Sequence, residues 1–340
     1  MTTHMRREIE EIPEAVSRLL EGSGAELASG GEALRAADPR TVVTVARGSS
    51  DHAAAFLKYA IELTAGVPVV SVGPSIVSIY RRDLRLEGCA ALAVSQSGRS
   101  PDIVALARSA RRGGALCFAL TNTADSPLAQ ACDHTVDLRA GPERSVAATK
   151  SFVASVVAGL ALLGHWRRDA ALLAALAALP DDLERAIGCD WSVLADGLAG
   201  RRSLYVLGRG PALAIASEAA LKFKETCALH AEAYSAAEVL HGPARIVEQG
   251  FPVLALAARD AAEASVAEIT DRLAGQGARA YITSDRAAAA APLPFVPARH
   301  PLTDALALIA TFYAFVEALS RRRGYDPDVP PHLRKVTETL

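Results

Sequence analysis

Short apolar runs rich in valine and alanine alternate with longer segments of helical periodicity along most of the chain. Residues 41–46 (TVVTVA) and 89–95 (CAALAVS) have the length and composition of strands buried in a parallel sheet. After the second run, the apolar positions Ile103, Leu106 and Ala107 form one face of a predicted helix. This alternation of strands and helices predicts an α/β fold built from doubly wound parallel sheets.

The strand–turn–helix pattern occurs twice. Residues 41–62 (TVVTVARGSSDHAAAFLKYAIE) parallel residues 203–225 (SLYVLGRGPALAIASEAALKFKE), and later strands also have counterparts in the second half. This internal similarity predicts two related α/β domains in tandem, preceded by residues 5–38, which have a helical pattern. The predicted segments are a helical N-terminal segment (1–38), a first domain (39–168), a helical connector (169–198), a second domain (199–323) and a C-terminal tail (324–340).

The two copies differ in the turn that follows the third strand of each. The first copy has SQSGRSPD at 95–102, whereas the second has ARDAAEAS at 258–265. A requirement of the fold would be present in both copies, so the serine cluster points to a ligand. Such turns lie at the carboxyl ends of strands and at helix N-termini, where backbone N–H groups favour an anion such as phosphate. The candidate phosphate ligands are Ser49, Ser50, Ser95, Gln96, Ser97 and Ser100.

Helix capping is the alternative explanation for these serines. Ser100 is a suitable N-cap, because Pro101 follows it at the first helical position and Asp102 lies in the first turn. A single serine-rich turn is more often a cap than a ligand site, but two such turns at neighbouring strand ends favour the ligand. The stretch has neither the GK[ST] of a Walker loop nor a GxGxxG fingerprint.

The amino-acid composition argues against several classes of function. The formal net charge of −2 gives no electrostatic reason to expect nucleic acid or an anionic membrane as a partner. The five cysteines lack CxxC spacing, which favours a reduced, cytoplasmic location over a disulfide framework or a zinc site. The N-terminus is charged and lacks the apolar stretch of a signal peptide. The longest apolar run, residues 152–164, is too short to span a bilayer.

Three charged residues share one face of a predicted helix in the second half. Glu218, Lys222 and Glu225 have i, i+4, i+7 spacing within AIASEAALKFKETCALHAEA. An exposed ladder of salt bridges is the usual explanation for that spacing. The segment is mostly Ala, Leu and Phe, however, which predicts a buried helix, and charges on a buried helix are usually paired or functional.

Several motifs together resemble the sugar isomerase (SIS) domain, a fold that binds phosphosugars. ARGSSDHAA follows the first strand, SQSGRSPD follows the third, and ERSVAATKSF begins at Glu143. Residues 217–247 (SEAALKFKETCALHAEAYSAAEVLHGPARIV) and the tail PPHLRKVTETL are similar to the isomerase half of glucosamine-6-phosphate synthase. The resemblance covers nearly the whole chain. It implies two SIS domains in tandem, a C-terminal tail over the active site, and no metal ion or cofactor.

Within the family, ARGSSDHAA, SQSGRSPD and DPDVPPHLRKVTET are most similar to the SIS-type glucosamine-6-phosphate deaminases. The synthases usually have a small residue where this chain has Arg47, and we expect no glutaminase half, since one helical segment precedes the repeat. The resemblance thus implies conversion of glucosamine 6-phosphate to fructose 6-phosphate and ammonia by an enzyme of the isomerase and hydrolase classes. The alternatives are another SIS isomerase, a deglycase of fructosamine 6-phosphates, or a non-catalytic sugar-phosphate sensor.

The resemblance also implies roles for individual residues. Glu225 is the base that moves a proton between C2 and C1, Lys222 holds the enediolate, and Glu218 positions the substrate and assists ring opening. His241 opens the sugar ring and comes from the neighbouring subunit, which implies a homodimer. Lys335, one of only five lysines among 36 basic residues, forms a Schiff base with the ketose or holds the open-chain sugar. The further sugar contacts that the resemblance implies are Glu143, Val146 and Ala147.

Overall fold

The computed structural model describes residues 2–335, which form two compact units. Each unit contains one five-stranded sheet. The first-sheet unit consists of residues 11–143, 148–180 and 334–335, and the second-sheet unit consists of residues 2–10, 144–147 and 181–333. Both units are discontinuous in the chain, and the five contiguous segments expected from the sequence remain predictions.

Helices and strands alternate over most of the described chain. The α-helices are α1 (His4–Glu10), α2 (Ile12–Gly22), α3 (Gly24–Ala37), α4 (Ser49–Ala65), α5 (Ser75–Ser78), α6 (Pro101–Arg112), α7 (Pro127–Ala131), α8 (Lys150–Arg167), α9 (Ala170–Ile187), α10 (Ser192–Gly197), α11 (Pro211–Cys227), α12 (Glu263–Gly275) and α13 (Pro301–Arg322). The strands are β1 (Thr41–Val45), β2 (Val69–Ser71), β3 (Cys89–Val94), β4 (Leu116–Thr121), β5 (His134–Asp137), β6 (Ser203–Gly208), β7 (His230–Ser235), β8 (Pro252–Ala255), β9 (Arg279–Ile282) and β10 (Ala291–Pro292). Two 3₁₀ helices occupy Glu238–His241 and Pro243–Ile246.

The two sheets have the same topology. The first has the strand order β2-β1-β3-β4-β5 and the second has the order β7-β6-β8-β9-β10, with every neighbouring pair parallel. Each sheet is therefore a 2-1-3-4-5 doubly wound sheet. This confirms the predicted α/β fold and the internal repeat. In such a sheet the strand order reverses between the first and third strands, and ligands bind beyond the carboxyl ends of those two strands.

The first sheet is buried because helices cover it. Val43 and Val45 of β1 and Ala91 and Ala93 of β3 pack in one apolar cluster with Ile103 of α6. Helix α8 packs against α2, α3 and α4, and nearly all of its side chains are buried. The apolar run at 152–164 is therefore a core helix, as its length indicated.

The second-sheet unit is built around α11 and α13. The Phe223 ring of α11 meets the Phe312 ring of α13 edge to face, with the ring centroids 5.0 Å apart. Helix α13 has the length and mean hydropathy (1.6) of a membrane span, but 94% of its apolar window is buried inside the fold. Helix α13 is therefore a core helix of the second-sheet unit. Helix α1 also packs on it, through a 2.6 Å salt bridge from Arg6 to Glu317.

The N-terminal segment, whose sequence pattern is helical over residues 5–38, is helical along most of its length. It forms the three helices α1, α2 and α3, with breaks near Glu11 and at Ser23. The Ser23 hydroxyl donates a 2.8 Å hydrogen bond to the carbonyl oxygen of Asp137. Ser23 is flanked by Gly22 and Gly24, both weak helix formers, and its tertiary hydrogen bond accompanies the break.

Two edge strands are missing from the sequence-based prediction. Strand β7 (His230–Ser235) pairs with β6 although it contains charged and small residues, and β10 has only two residues. An edge strand is exposed along one side and does not need an apolar composition. Periodicity therefore gives little signal for it.

Candidate active site

The two serine turns follow β1 and β3, the strands between which the order of the first sheet reverses. Gly48 caps α4 with φ 57° and ψ −134°, and Gly210 caps α11 with φ 60° and ψ −137°. The turn after the first strand is therefore the same in both repeats. The serine cluster after β3 belongs to one repeat only, so the fold that the two repeats share does not require it.

The serine hydroxyls of this cluster are positioned to donate hydrogen bonds. The Ser95 Oγ accepts the Gly98 N–H at 3.2 Å, and the Ser97 Oγ accepts the Arg99 N–H at 3.3 Å. A hydroxyl that accepts from the backbone can still donate its own proton to an anion. Ser50 and Gln96 lie half-buried at the same sheet edge, as does Ser49.

Ser100 lies at the predicted N-cap position, but its hydroxyl does not cap the helix, so the capping explanation is wrong for this serine. Helix α6 begins at Pro101, and Ser100 occupies the N-cap position with an extended backbone. Its side chain makes no capping hydrogen bond. The Ser100 hydroxyl is therefore not used by its own helix, and it keeps its capacity to bind a ligand.

Gly98 allows the turn after β3 to pack tightly. Its φ is +62°, and a Cβ atom at this position would lie 2.2 Å from the Ser126 Oγ and 2.9 Å from the Thr121 Oγ1. The Thr121 hydroxyl also donates a 3.4 Å hydrogen bond to the carbonyl oxygen of Gln96. Any side chain larger than hydrogen at Gly98 would displace the turn that carries the candidate phosphate ligands.

Asn122 is a positioning residue that the sequence analysis did not identify. Its side-chain NH₂ donates to the carbonyl oxygen of Gly141, and its side-chain oxygen accepts the Ala140 N–H, both at 2.8 Å. Asn122 therefore holds the segment that leads to Glu143. The signal was available, because Asn122 follows β4 at the sheet edge where Ser95 follows β3.

Glu143 and Lys335 are brought together by the fold of the first-sheet unit. The buried Glu143 carboxylate accepts the Thr149 N–H at 3.0 Å, the Ser151 N–H at 3.1 Å and the Ser151 O–H at 2.6 Å. The Lys335 ammonium donates to it at 2.7 Å. Burial opposes ionisation, but the Lys335 charge and the Ser151 donors outweigh it and hold the pKa of Glu143 below its usual value. The tail beyond Lys335, residues 336–340, lies outside the described residues.

Val146 and Ala147, the other predicted sugar contacts, belong to the second-sheet unit. Val146 is half-buried and Ala147 is buried. Their segment is held by Glu8 of α1, whose carboxylate accepts the Ser145 O–H at 2.5 Å and the N–H groups of Ser145 and Arg144. Glu8 was not identified from the sequence, since nothing local marks it as a partner of residues 144–147.

The charged face of α11 is buried, and the exposed-ladder explanation is wrong for it. The side chains of Glu218 and Lys222 are fully buried, and that of Glu225 is 20% exposed. The Lys222 ammonium lies 3.3 Å from the Glu218 carboxylate and pairs with Glu225. Burial lowers the pKa of Lys222, but the two carboxylates outweigh it and raise that pKa above its usual value. Lys222 is therefore a permanently charged donor near neutral pH.

Tyr313 of α13 completes this buried cluster, and the sequence analysis missed it. Its hydroxyl donates a 3.1 Å hydrogen bond to the Glu218 carboxylate. Glu218 is thereby held by a cation and a phenol in the interior. Of the two carboxylates, Glu225 is the one whose side chain reaches solvent, and it is therefore the one placed to exchange a proton with a bound molecule.

His241 lies at the end of the 3₁₀ helix Glu238–His241 and is exposed. Gly242 follows it with φ 154°, and the position where a Cβ atom would lie is open. The imidazole is therefore accessible from solvent. Its action on a neighbouring subunit remains a prediction.

Comparison with protein families matches the SIS domain over residues 36–164 and 197–291. Curated relatives include isomerizing glutamine–fructose-6-phosphate aminotransferases. That of Symbiobacterium thermophilum is 37% identical over 315 residues, covering 87% of this chain and 51% of the relative, and that of Pyrobaculum aerophilum is 36% identical over 366 residues, covering 97% and 56%. The chain thus spans about half the length of these relatives.

Solved structures have the same fold. A candidate phosphosugar isomerase from Silicibacter pomeroyi DSS-3 is 57% identical, with a TM-score of 0.94, over 96% of this chain and 100% of that one. The C-terminal domain of glucosamine–fructose-6-phosphate aminotransferase from Francisella tularensis is 23% identical, with a TM-score of 0.85, over 97% and 99%. Glucosamine-6-phosphate deaminase from Thermotoga maritima is 18% identical, with a TM-score of 0.78, over 99% and 100%, which shows a shared fold.

Among these proteins, the one with 57% identity is itself a candidate phosphosugar isomerase. The expectation that the enzyme is also classed as a hydrolase is withdrawn, because the curated relatives are aminotransferases with an isomerizing activity. The family model covers most of the chain, the relatives exceed 30% identity, and both sheets have the same doubly wound topology. The chain therefore belongs to the SIS domain family.

Proposed function

We propose that this protein is a cofactor-independent enzyme of amino-sugar phosphates, which converts glucosamine 6-phosphate to fructose 6-phosphate and ammonia. The observation that carries the proposal is the arrangement of α11. A partly exposed carboxylate, Glu225, lies against a buried ammonium, Lys222. Aldose–ketose isomerisation requires this combination, because a base must move a proton between adjacent carbons while a cation stabilises the negative charge that develops on oxygen.

The phosphate of the substrate is assigned to the serine cluster. Ser50, Ser95, Ser97 and Ser100 supply hydroxyl donors, with Ser49 and Gln96 beside them, and the N-terminus of helix α4 supplies backbone N–H groups. Hydroxyls and backbone donors bind a phosphate without a metal ion, as at other helix N-termini. This assignment accounts for the Ser100 hydroxyl, which its own helix does not use, and for a serine cluster that the second repeat lacks.

In the proposed reaction, His241 of a neighbouring subunit opens the sugar ring, so the active enzyme is a homodimer. Glu225 removes the proton from C2 and delivers it to C1, while the Lys222 ammonium donates to the oxygen that gains charge. The imine that forms at C2 then reacts with water, releasing ammonia and leaving fructose 6-phosphate. Glu218 holds Lys222 in place, and Glu143, Val146 and Ala147 contact the sugar.

Ammonia release from glucosamine 6-phosphate by the purified chain tests the proposal, with galactosamine 6-phosphate assayed alongside. Wild-type protein is expected to produce ammonia and fructose 6-phosphate in equal amounts. Glu225→Gln is expected to lower the rate about 10²- to 10⁴-fold, as for loss of a general base, and to retain phosphate binding by calorimetry. Glu268→Gln, at an exposed position of α12, is the matched control and should keep full activity.

Three other outcomes would replace the proposal with a stated alternative. Interconversion of aldose and ketose phosphates without ammonia would indicate a simple isomerase, and cleavage of fructosamine 6-phosphate would indicate a deglycase. Phosphosugar binding with no turnover, unchanged by Glu225→Gln, would indicate a sensor.

The names of the relatives favour one further assay, in which fructose 6-phosphate and ammonium are supplied together, since an enzyme catalyses its reaction in both directions.

A further inference from the structure

One ion pair links the two turns that carry the candidate phosphate ligands. The Arg47 guanidinium, directly after β1, donates through Nε to the Asp102 carboxylate in the first turn of α6. Asp102 is fully buried at its side chain, whereas the Arg47 side chain is 45% exposed. The other Asp102 oxygen accepts the Ile103 N–H at 2.8 Å. Both carboxylate oxygens are therefore occupied by donors from these turns.

The ion pair between Arg47 and Asp102 balances the charge at the carboxyl edge of the first sheet. Asp102 lies at the N-terminus of α6, where the helix dipole favours a negative charge. An unpaired carboxylate there would also repel the phosphate that the same helix end is proposed to bind. Arg47 neutralises Asp102, so this carboxylate does not oppose an anion bound by the hydroxyl groups of the two turns. The Asp102 side chain is buried and therefore needs a partner, because removing one partner of a buried ion pair leaves an uncompensated charge.

We propose that Arg47 is a positioning residue for phosphate binding, which acts by holding the turn after β1 against the start of α6 through Asp102. This inference rests on the phosphate assignment made above and goes beyond it. Arginine suits the role better than lysine, because its rigid planar fork keeps a fixed geometry.

A double-mutant cycle tests the proposal, with binding of inorganic phosphate to the purified full chain measured by calorimetry. Arg47→Met and Asp102→Asn are each expected to weaken phosphate binding about tenfold, and the double variant is expected to be no weaker than either single variant. If Arg47 instead acted only as a positive charge beside the phosphate, Asp102→Asn would bind phosphate as tightly as wild type or more tightly. That result would overturn the proposal.

Arg108→Met is the matched control, because Arg108 is an exposed arginine farther along α6, outside the serine cluster. It should leave phosphate binding within about twofold of wild type, and an equal loss at Arg108 and Arg47 would indicate a general charge effect and overturn the proposal. Kinetics supply a second readout. Both single variants should raise KM for the phosphosugar and leave kcat nearly unchanged, because Glu225 lies outside these turns.

The two proposals fail in distinguishable ways. Absence of phosphate binding to the wild-type chain would overturn the phosphate assignment and this inference together. Normal wild-type binding that no variant weakens would overturn the inference alone. Because Arg47→Met leaves Asp102 buried and unpaired, thermal unfolding is recorded for every variant, and Asp102→Asn and the double variant carry the conclusion if Arg47→Met does not fold.

Discussion

The ammonium of Lys335 donates a 2.7 Å hydrogen bond to the carboxylate of Glu143, 192 positions earlier in the chain. The Glu143 side chain is fully buried and that of Lys335 is 23% exposed. This contact ties the C-terminal segment to the start of the ERSVAATKSF motif. A lysine near a chain terminus would otherwise be expected in a solvated, poorly ordered tail.

Lys335→Met should make the stability of the protein less dependent on pH in the acid range. The lowered pKa of Glu143 means that its ionised form stabilises the folded state above the unfolded pKa, and that this contribution is lost as the pH falls through the lower folded pKa. The variant should lose about 1–3 kcal/mol of unfolding free energy near neutral pH. Urea unfolding at a series of pH values should show this difference shrinking below a pH of about 4. Lys58→Met, in the same unit, should show no such trend.

Lys222→Met should destabilise the protein strongly. It would remove the cation that lies 3.3 Å from the buried Glu218 carboxylate, and loss of one partner of a buried ion pair costs about 3–5 kcal/mol. Lys224→Met is the matched control, because Lys224 lies exposed on the same helix and should change stability by less than about 0.5 kcal/mol. Equal effects of the two substitutions in denaturant unfolding would contradict the charged, buried cluster.

Gly98→Ala should weaken phosphate binding and lower stability. The substitution places a methyl group at a positive φ and within 3 Å of Ser126 and Thr121, so the turn after β3 must move. We expect a loss of about 1–3 kcal/mol in unfolding free energy and weaker binding of inorganic phosphate by calorimetry. Gly275→Ala should be neutral or slightly stabilising, because a Cβ at that position of α12 meets open space. Phosphate binding by Gly98→Ala at the wild-type affinity would argue against this turn as part of the phosphate site.

Glu8→Gln should loosen residues 144–147. The carboxylate accepts two backbone N–H groups and one hydroxyl from that segment, whereas an amide offers one oxygen and an NH₂ group that would face the same donors. Amide hydrogen exchange of a peptide containing Arg144 and Ser145 should become faster. The rate of the proposed reaction should fall about tenfold, which corresponds to about 1.4 kcal/mol.

The matched control for Glu8 is Glu10→Gln, at an exposed position of the same helix. It should leave both the hydrogen exchange of residues 144–147 and the reaction rate unchanged. Unchanged exchange in Glu8→Gln would show that these hydrogen bonds do not restrain the segment, whatever the outcome of the activity assay.

The sequence determined the features that depend on neighbouring residues. The apolar runs placed β1 and β3, the repeated strand–turn–helix pattern implied two similar sheets, and the composition around Lys222 implied that α11 is buried. Since ligands of parallel sheets bind beyond the strand ends, the serine turns could also be assigned to the correct edge of the first sheet.

Only the tertiary structure decided which distant residues meet. The contacts of Tyr313 with Glu218, Glu8 with Ser145, Lys335 with Glu143, and Arg47 with Asp102 join residues 55 to 192 positions apart. Periodicity and helix propensity describe a window of about 15 residues and contain no information on such pairs. For the same reason the edge strand β7 was missed, since it is stabilised by hydrogen bonds to β6, a remote part of the chain.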